Sequence, residues 1–179
     1  MSSPVDIVLP LDPDPMKGGL SLQPYRYKVT LSPGLWGAYQ QDVPLRWKRV
    51  KFEKSEQNKI PLDKNGVYSF VVESEIANHC ANSYMFYVGQ VNRKSGKLRA
   101  RFLEYFRERD RDGASSYKRE KVKRILESYR DHLWFYFAPI DEEDKIDSVE
   151  ARLINAFVPW ANTEGYQATL RASMNAFPD

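Results

Sequence analysis

Gly66-Val67-Tyr68-Ser69-Phe70-Val71-Val72 and, a short polar interval later, Tyr84-Met85-Phe86-Tyr87-Val88-Gly89 decide the fold of this chain. Both runs are β-branched and aromatic and are bounded by turn residues, so each reads as a strand. The interval over 73–83 is polar and carries Asn78 and Asn82, which marks a hairpin loop. Two antiparallel neighbours follow, each with one tyrosine near a glycine. Asn65-Gly66 has strong turn chemistry, and Gly66 permits close backbone approach at the strand end.

Downstream of Gly89 the period changes. Leu98, Phe102, Tyr105 and Phe106 fall at i, i+4, i+7 and i+8, which predicts an amphipathic helix over 97–110. Arg101 and Tyr105 are four apart and share a face of it. A second helix is expected over 116–131, with Val122, Ile125, Leu126 and Tyr129 as its apolar face. The run 133–140 is nearly all apolar and reads as a central, buried strand. Asp147 reads as the N-cap of a helix over 148–157, with Pro159 beyond its end. On that helix Glu150 lies in line with Leu153, Ile154 and Phe157, where a carboxylate is costly unless a cation or donor meets it. The bland account of Glu150 is an acid near a helix start, favoured by the macrodipole. The bland account of Tyr68 and Tyr87 is a cross-strand aromatic pair. The residues alone leave both pairs of readings open.

Taken in order, Gly66-Val67-Tyr68, Tyr87-Val88-Gly89, Arg101 with Tyr105, Glu150 and Asn162 resemble the GIY-YIG nuclease superfamily, with spacing most like the nuclease domain of the bacterial excinuclease. The resemblance covers about residues 61–163. Each tripeptide alone is a weak signal; the ordered set is specific. It implies an α+β fold in which helices flank a small central antiparallel three-stranded sheet. It implies a divalent-metal-dependent endonuclease that hydrolyses DNA phosphodiester bonds. Tyr68, Tyr87, Arg101, Tyr105 and Glu150 would be catalytic, and Glu150 the ligand of Mg²⁺ or Mn²⁺. Tyr68 would polarise or deprotonate water, Tyr87 would orient water or phosphate, and Gly66, Gly89 and Asn162 would shape the site. Two departures stand out. The loop between the tripeptides is long, and residues 92–96 are extra, which makes Arg99 a competitor for the role of Arg101.

The chemistry suits the residue types. A guanidinium fork matches phosphate geometry and keeps its charge. Magnesium is commonly held by one or two carboxylates and retains several waters, so one glutamate suffices to anchor it. A tyrosine ionises near pH 10 unperturbed, so a tyrosine base needs help from a neighbouring cation or metal-bound water.

Charge is unevenly distributed. The whole chain is at +3, yet residues 92–130 hold fourteen Lys/Arg and six Asp/Glu. That basic middle, with Arg93, Lys94, Lys97, Arg99, Lys118, Arg119, Lys121, Lys123 and Arg124, points either to a polyanion or to helices laced with i,i+4 ion pairs. The segment does not separate DNA from RNA.

No stretch approaches the ~18 apolar residues of a membrane span, and the first residues lack a basic n-region. One cysteine, Cys80, excludes an internal disulfide framework and fits a reducing, cytoplasmic setting. His79 and His132 have no ligand-like spacing. Three regions are expected: a flexible arm over 1–24, where Ile7-Val8-Leu9 offers at most an edge strand; a β-rich extension over 25–59; and the nuclease-like domain over 60–179. In the extension, 25–31 and 46–52 read as strands, Ser32-Pro33-Gly34 as a turn, and Trp36 and Trp47 as packing residues. No target-recognition module is recognisable, so target choice falls to the extension, to the basic segment, to a homodimer, or to a larger defence or repair complex. The alternative function is a non-catalytic nucleic-acid-binding or partner-recruiting protein on a degenerate fold of this kind.

Overall fold

The computed structural model describes residues 31, 33–40, 43–74, 82–110, 117–168, 170 and 171, with 117–119 described by backbone alone. The expected arm and the strand over 25–30 lie outside the described residues, as do His79 and Cys80.

The two runs around the tripeptides form β2 (Gly66–Ser74) and β3 (Asn82–Val91). The apolar run downstream is β4 (Leu133–Pro139), and it pairs with the other side of β2. A fourth strand, β1 (Lys48–Lys51), pairs antiparallel with β4. The sheet order is therefore β1-β4-β2-β3, entirely antiparallel. The expected sheet of three strands is corrected to four. An alternating basic and apolar run completes the edge that β4 would otherwise expose.

The extension is not β-rich where it is described. Helix α1 (Pro33–Ala38) replaces the turn expected at Pro33-Gly34, because proline is well suited to a first helical position. A 3-10 helix spans Lys54–Lys59. The extension contributes to the same core. Phe52 is 1% exposed, stacks on Phe106 at 4.1 Å, and meets Phe70 edge-on.

Helices α2 (Leu98–Arg109) and α3 (Tyr117–Ser128) cover one face of the sheet. Leu98, Phe102, Tyr105 and Phe106 of α2 are all buried, against Phe52, Tyr68, Phe70 and Phe135. From α3, Val122, Ile125 and Leu126 join them. Helix α4 (Ile146–Phe157) covers the opposite face, where Val67, Val88 and Ala138 meet Ile146, Val149, Leu153 and Ile154. Residue alternation in the strands puts Tyr68, Phe70, Phe135 and Phe137 on the α2 face and Val67, Val88 and Ala138 under α4.

Helix α4 starts two residues earlier than expected. Asp147 lies inside it, and the cap position is Lys145, without a side-chain cap bond. The buried stripe is also rotated: Val149 is inside, while Phe157 is exposed. After α4, Val158 takes a left-handed conformation, uncommon for a β-branched residue. The chain reverses there and lies along the outer edge of β3. Ala168, Leu170 and Arg171 are helical.

Candidate functional site

Tyr68 and Gly89 face each other across β2 and β3, and Phe70 faces Tyr87. The register slips between Phe70 and Val71, so β3 carries one extra residue there. This bulge turns both Phe86 and Tyr87 toward the α2 and α3 face. Tyr105 arrives from α2. Three tyrosine rings then stand in mutual contact: Tyr68–Tyr105 at 5.9 Å, Tyr68–Tyr87 at 6.2 Å and Tyr87–Tyr105 at 6.3 Å between centroids. The hydroxyls of Tyr68 and Tyr105 are hydrogen-bonded at 2.9 Å.

Both glycines of the tripeptides lie where an added side chain would collide. A Cβ on Gly89 would lie 2.4 Å from the Tyr68 hydroxyl oxygen. At Gly66 φ is +150°, and a Cβ would lie 2.2 Å from the carbonyl oxygen of Ala138.

Arg101 projects from the same helix face as Tyr105. Its guanidinium is held by Glu104 at 2.8 Å and by the carbonyl of Ser95 at 3.2 Å. Its Nε is buried without a hydrogen-bond partner. The extra residues 92–96 thus help to aim this arginine: the Asn92 side chain accepts from the backbone N–H of Lys94 and of Ser95 and shapes the loop. Burial raises the pKa of Tyr68 well above its ordinary value, and the neighbouring tyrosines add to the rise, while the field of Arg101 opposes it. Tyr105 is raised likewise, again by burial first. Both hydroxyls are neutral at neutral pH.

Arg99 points elsewhere. Its Nε donates to the Ile60 carbonyl at 2.7 Å and a terminal nitrogen to that of Asn58 at 3.3 Å. Its guanidinium holds the 3-10 segment to α2. Of the two competing arginines, Arg101 is the one beside the tyrosines.

Glu150 and Tyr87 line one cleft of about 370 Å³ with Asn162, Thr163, Glu164 and Gly165. Among the described residues no hydrogen bond or ion pair reaches Glu150. Burial, with a smaller contribution from the charge of Asp147, lifts its pKa to about 7. The sequence reading does not single out Asp147 as a site residue, although its i,i+3 spacing from Glu150 places it on the same helix face. Asn162 sits at the cleft floor, and its amide closes on one residue of β3. Its Oδ1 accepts from the Val88 N–H at 2.9 Å, and its Nδ2 donates to the Val88 carbonyl at 2.8 Å. Beside it, the Ala161 N–H donates to the carbonyl of Phe86 at 2.8 Å. The turn after α4 thereby satisfies the outer edge of β3 much as a strand would.

Two groups therefore meet at Tyr87. On one side are Tyr68, Tyr105, Gly89 and Arg101; on the other are Glu150 and Asn162. Arg101 is not among the lining residues of the Glu150 cleft.

The basic side chains are partly spoken for. Arg93 pairs with Glu143 at 2.6 Å yet stays 85% exposed. Lys121 lies over the Trp160 ring at 4.8 Å, and Lys123 is 3.8 Å from Glu127. Lys94 and Arg124 are exposed, Lys97 is half-buried, and the side chains of Lys118 and Arg119 lie outside the described set. His132 is exposed, apart from the site.

No cluster of three or more His, Cys, Asp or Glu side chains with metal-ligand geometry occurs among the described residues. A single partnerless, half-buried glutamate with Asp147 one turn before it still fits a hard cation that keeps most of its waters. Among the described residues no helix is long and apolar enough to cross a membrane. The chain matches no protein-family model, no curated protein and no solved structure.

Proposed function

We propose that this protein is a divalent-metal-dependent endonuclease acting on DNA, on a GIY-YIG-like scaffold. The observation that carries the reading is the meeting, at Tyr87, of an arginine-backed tyrosine cluster and a cleft that holds a partnerless glutamate. The antiparallel sheet with helices on both faces is of the α+β class that the resemblance implies, and its fourth strand, β1, departs from the three-stranded sheet expected of it.

In this mechanism Glu150 would hold Mg²⁺ or Mn²⁺, which when bound supplies Lewis acidity at the phosphate oxygens. Tyr87 lines the cleft and orients the attacking water or a phosphate oxygen through its hydroxyl. Tyr68 is wholly buried and bonded to Tyr105, so it works as a neutral member of a hydroxyl relay behind Tyr87. Deprotonating it directly would oppose the burial that raises its pKa. Arg101, beside the tyrosines and outside the Glu150 cleft, stabilises negative charge that develops along this relay. Glu104 and Ser95 fix its orientation. Asn162 clamps β3 so that Tyr87 keeps its place. Target choice would come from the basic segment, the extension, a homodimer or a larger complex, in a cytoplasmic setting.

The test is supercoiled-plasmid nicking by the purified chain with Mg²⁺ or Mn²⁺. Nicking by the wild type that is lost in Glu150→Gln and Tyr87→Phe is expected. Absence of nicking with salt-dependent DNA binding would favour the non-catalytic alternative. A matched RNA substrate, run alongside, separates the two nucleic acids.

A further inference from the structure

The α4 face of the sheet is only partly covered. Beyond the C-terminal end of α4 lies a cleft of about 520 Å³, distinct from the Glu150 cleft. Its floor is Ser69 and Val71 of β2, with Met85 of β3 and Tyr136 of β4. Its walls hold three of the four tryptophans in the chain, Trp36, Trp47 and Trp160, together with Tyr84 and Phe157. Four of the five exposed large hydrophobic side chains of the described residues line this one place: Leu31, Trp36, Tyr84 and Phe157, with Tyr84 at 46% exposure. Scattered apolar residues need no account; a contiguous aromatic set does.

Two further observations indicate what fills it. Ser69 is fully buried in the floor, and its hydroxyl has no hydrogen-bond partner. An occupant with a polar edge would satisfy it. Beside the cleft, the same sheet face carries cations on aromatic rings. Arg49 lies over Trp134 at 4.5 Å and over Tyr136 at 5.9 Å, and Lys51 lies over Trp134 at 5.8 Å. Strand alternation puts Trp47, Arg49 and Lys51 on that face together. Glu73 orients Arg49 at 2.8 Å, and the Arg49 side chain remains half exposed. Flat aromatic walls, one polar contact and adjacent cations match an unpaired nucleobase with its phosphates, since stacking grooves combine these features. A purely apolar partner would leave Ser69 unsatisfied and would gain nothing from Arg49 and Lys51.

We infer that the cleft between α1, the sheet and the end of α4 receives an unpaired base of a single-stranded DNA stretch, with its backbone running toward β1. This rests on the nucleic-acid reading above and deepens it: the substrate would carry unpaired nucleotides near the cutting site.

The experiment titrates a single-stranded deoxyoligonucleotide of about 12 nucleotides, within the ~4–16 that such grooves span, into the full chain carrying Glu150→Gln, with EDTA present. Tryptophan fluorescence is read, because stacking on Trp36 or Trp47 quenches it. Saturable quenching is expected, with binding weakened about tenfold by Trp36→Ala, by Tyr84→Ala and by Arg49→Glu, the order of one stacked base or one lost phosphate contact. Trp36 and Tyr84 are both exposed, and matching thermal melts confirm that the variants fold. A fully paired duplex or an abasic strand should bind at least tenfold more weakly. Equal binding of abasic and base-bearing strands, or no quenching at all, overturns the inference. So does a mass doubled in solution and restored by Trp36→Ala, which would make the cleft a self-association surface. Plasmid nicking by the wild type without base-dependent quenching would sink this inference and leave the nuclease reading intact. Base-dependent quenching without nicking would do the reverse.

Discussion

Replacing Asn162 should separate a clamp from a bystander. The residue is 9% exposed, and its side chain makes both possible bonds to Val88, one as acceptor at 2.9 Å and one as donor at 2.8 Å. Asn162→Ala strands the Val88 N–H and carbonyl in a buried place. Each unmet group costs about 1–3 kcal/mol, so a loss of about 3 kcal/mol is expected. For a chain of this size ~1 kcal/mol moves the melting temperature by ~2–4 °C, which puts the shift at ~6–12 °C. Asn162→Asp is the sharper test. It keeps the acceptor for the Val88 N–H but sets a second oxygen against the Val88 carbonyl. The ionised form is repelled and the protonated form can donate, so the folded state raises the pKa of the introduced carboxyl above its unfolded value. A raised carboxyl pKa destabilises the fold where the group is charged. The variant should therefore be weakest above pH 7 and recover toward wild type as pH falls through the raised folded value. The assay is thermal unfolding by circular dichroism from pH 5 to pH 8, read as the difference from wild type at each pH. Asn162→Ala within 1 kcal/mol of wild type, or an Asn162→Asp difference that is flat with pH, would refute the clamp.

The same geometry sets four more expectations. Glu150 has a folded pKa of about 7 against an ordinary 4.5, so its charge costs stability increasingly as pH rises through that window. Glu150→Gln should then stabilise the protein at pH 8 by ~1–3 kcal/mol, measured by denaturant unfolding, while abolishing nicking; millimolar Mg²⁺ should raise the melting temperature of the wild type and leave this variant unmoved. Gly89→Ala drives a Cβ into the Tyr68 ring, which Phe135 backs at a centroid distance of 5.3 Å; overpacking of this kind costs about 1–3 kcal/mol, and an unchanged melting temperature would show that the ring can yield. Arg101→Lys should cut nicking by about a hundredfold or more while DNA affinity holds, whereas Arg99→Ala should lower stability by ~1–2 kcal/mol and leave the salt slope of DNA binding unchanged. Phe52→Ala should cost about 3–5 kcal/mol in a single cooperative transition; a separate early transition would mark the extension as its own unit.

Local chemistry was readable from the chain. The β-branched and aromatic runs gave β2, β3 and β4, and helical spacing gave α2, α3 and α4, because period and turn residues act over a few positions. The same spacing put Tyr105 beside Arg101. Long-range pairing was not readable. Whether Lys48–Lys51 would dock on β4, whether the bulge would turn Tyr87 toward Tyr105, and whether Asn162 would reach Val88 all depend on contacts between distant residues. So does the difference between Arg99 and Arg101, since the carbonyls of Asn58 and Ile60 occupy the former. The raised pKa of Glu150 and the aromatic cleft beyond α4 are likewise properties of enclosure. A sequence carries the residue types, but burial and the company a side chain keeps exist only once strands from different parts of the chain have closed around it.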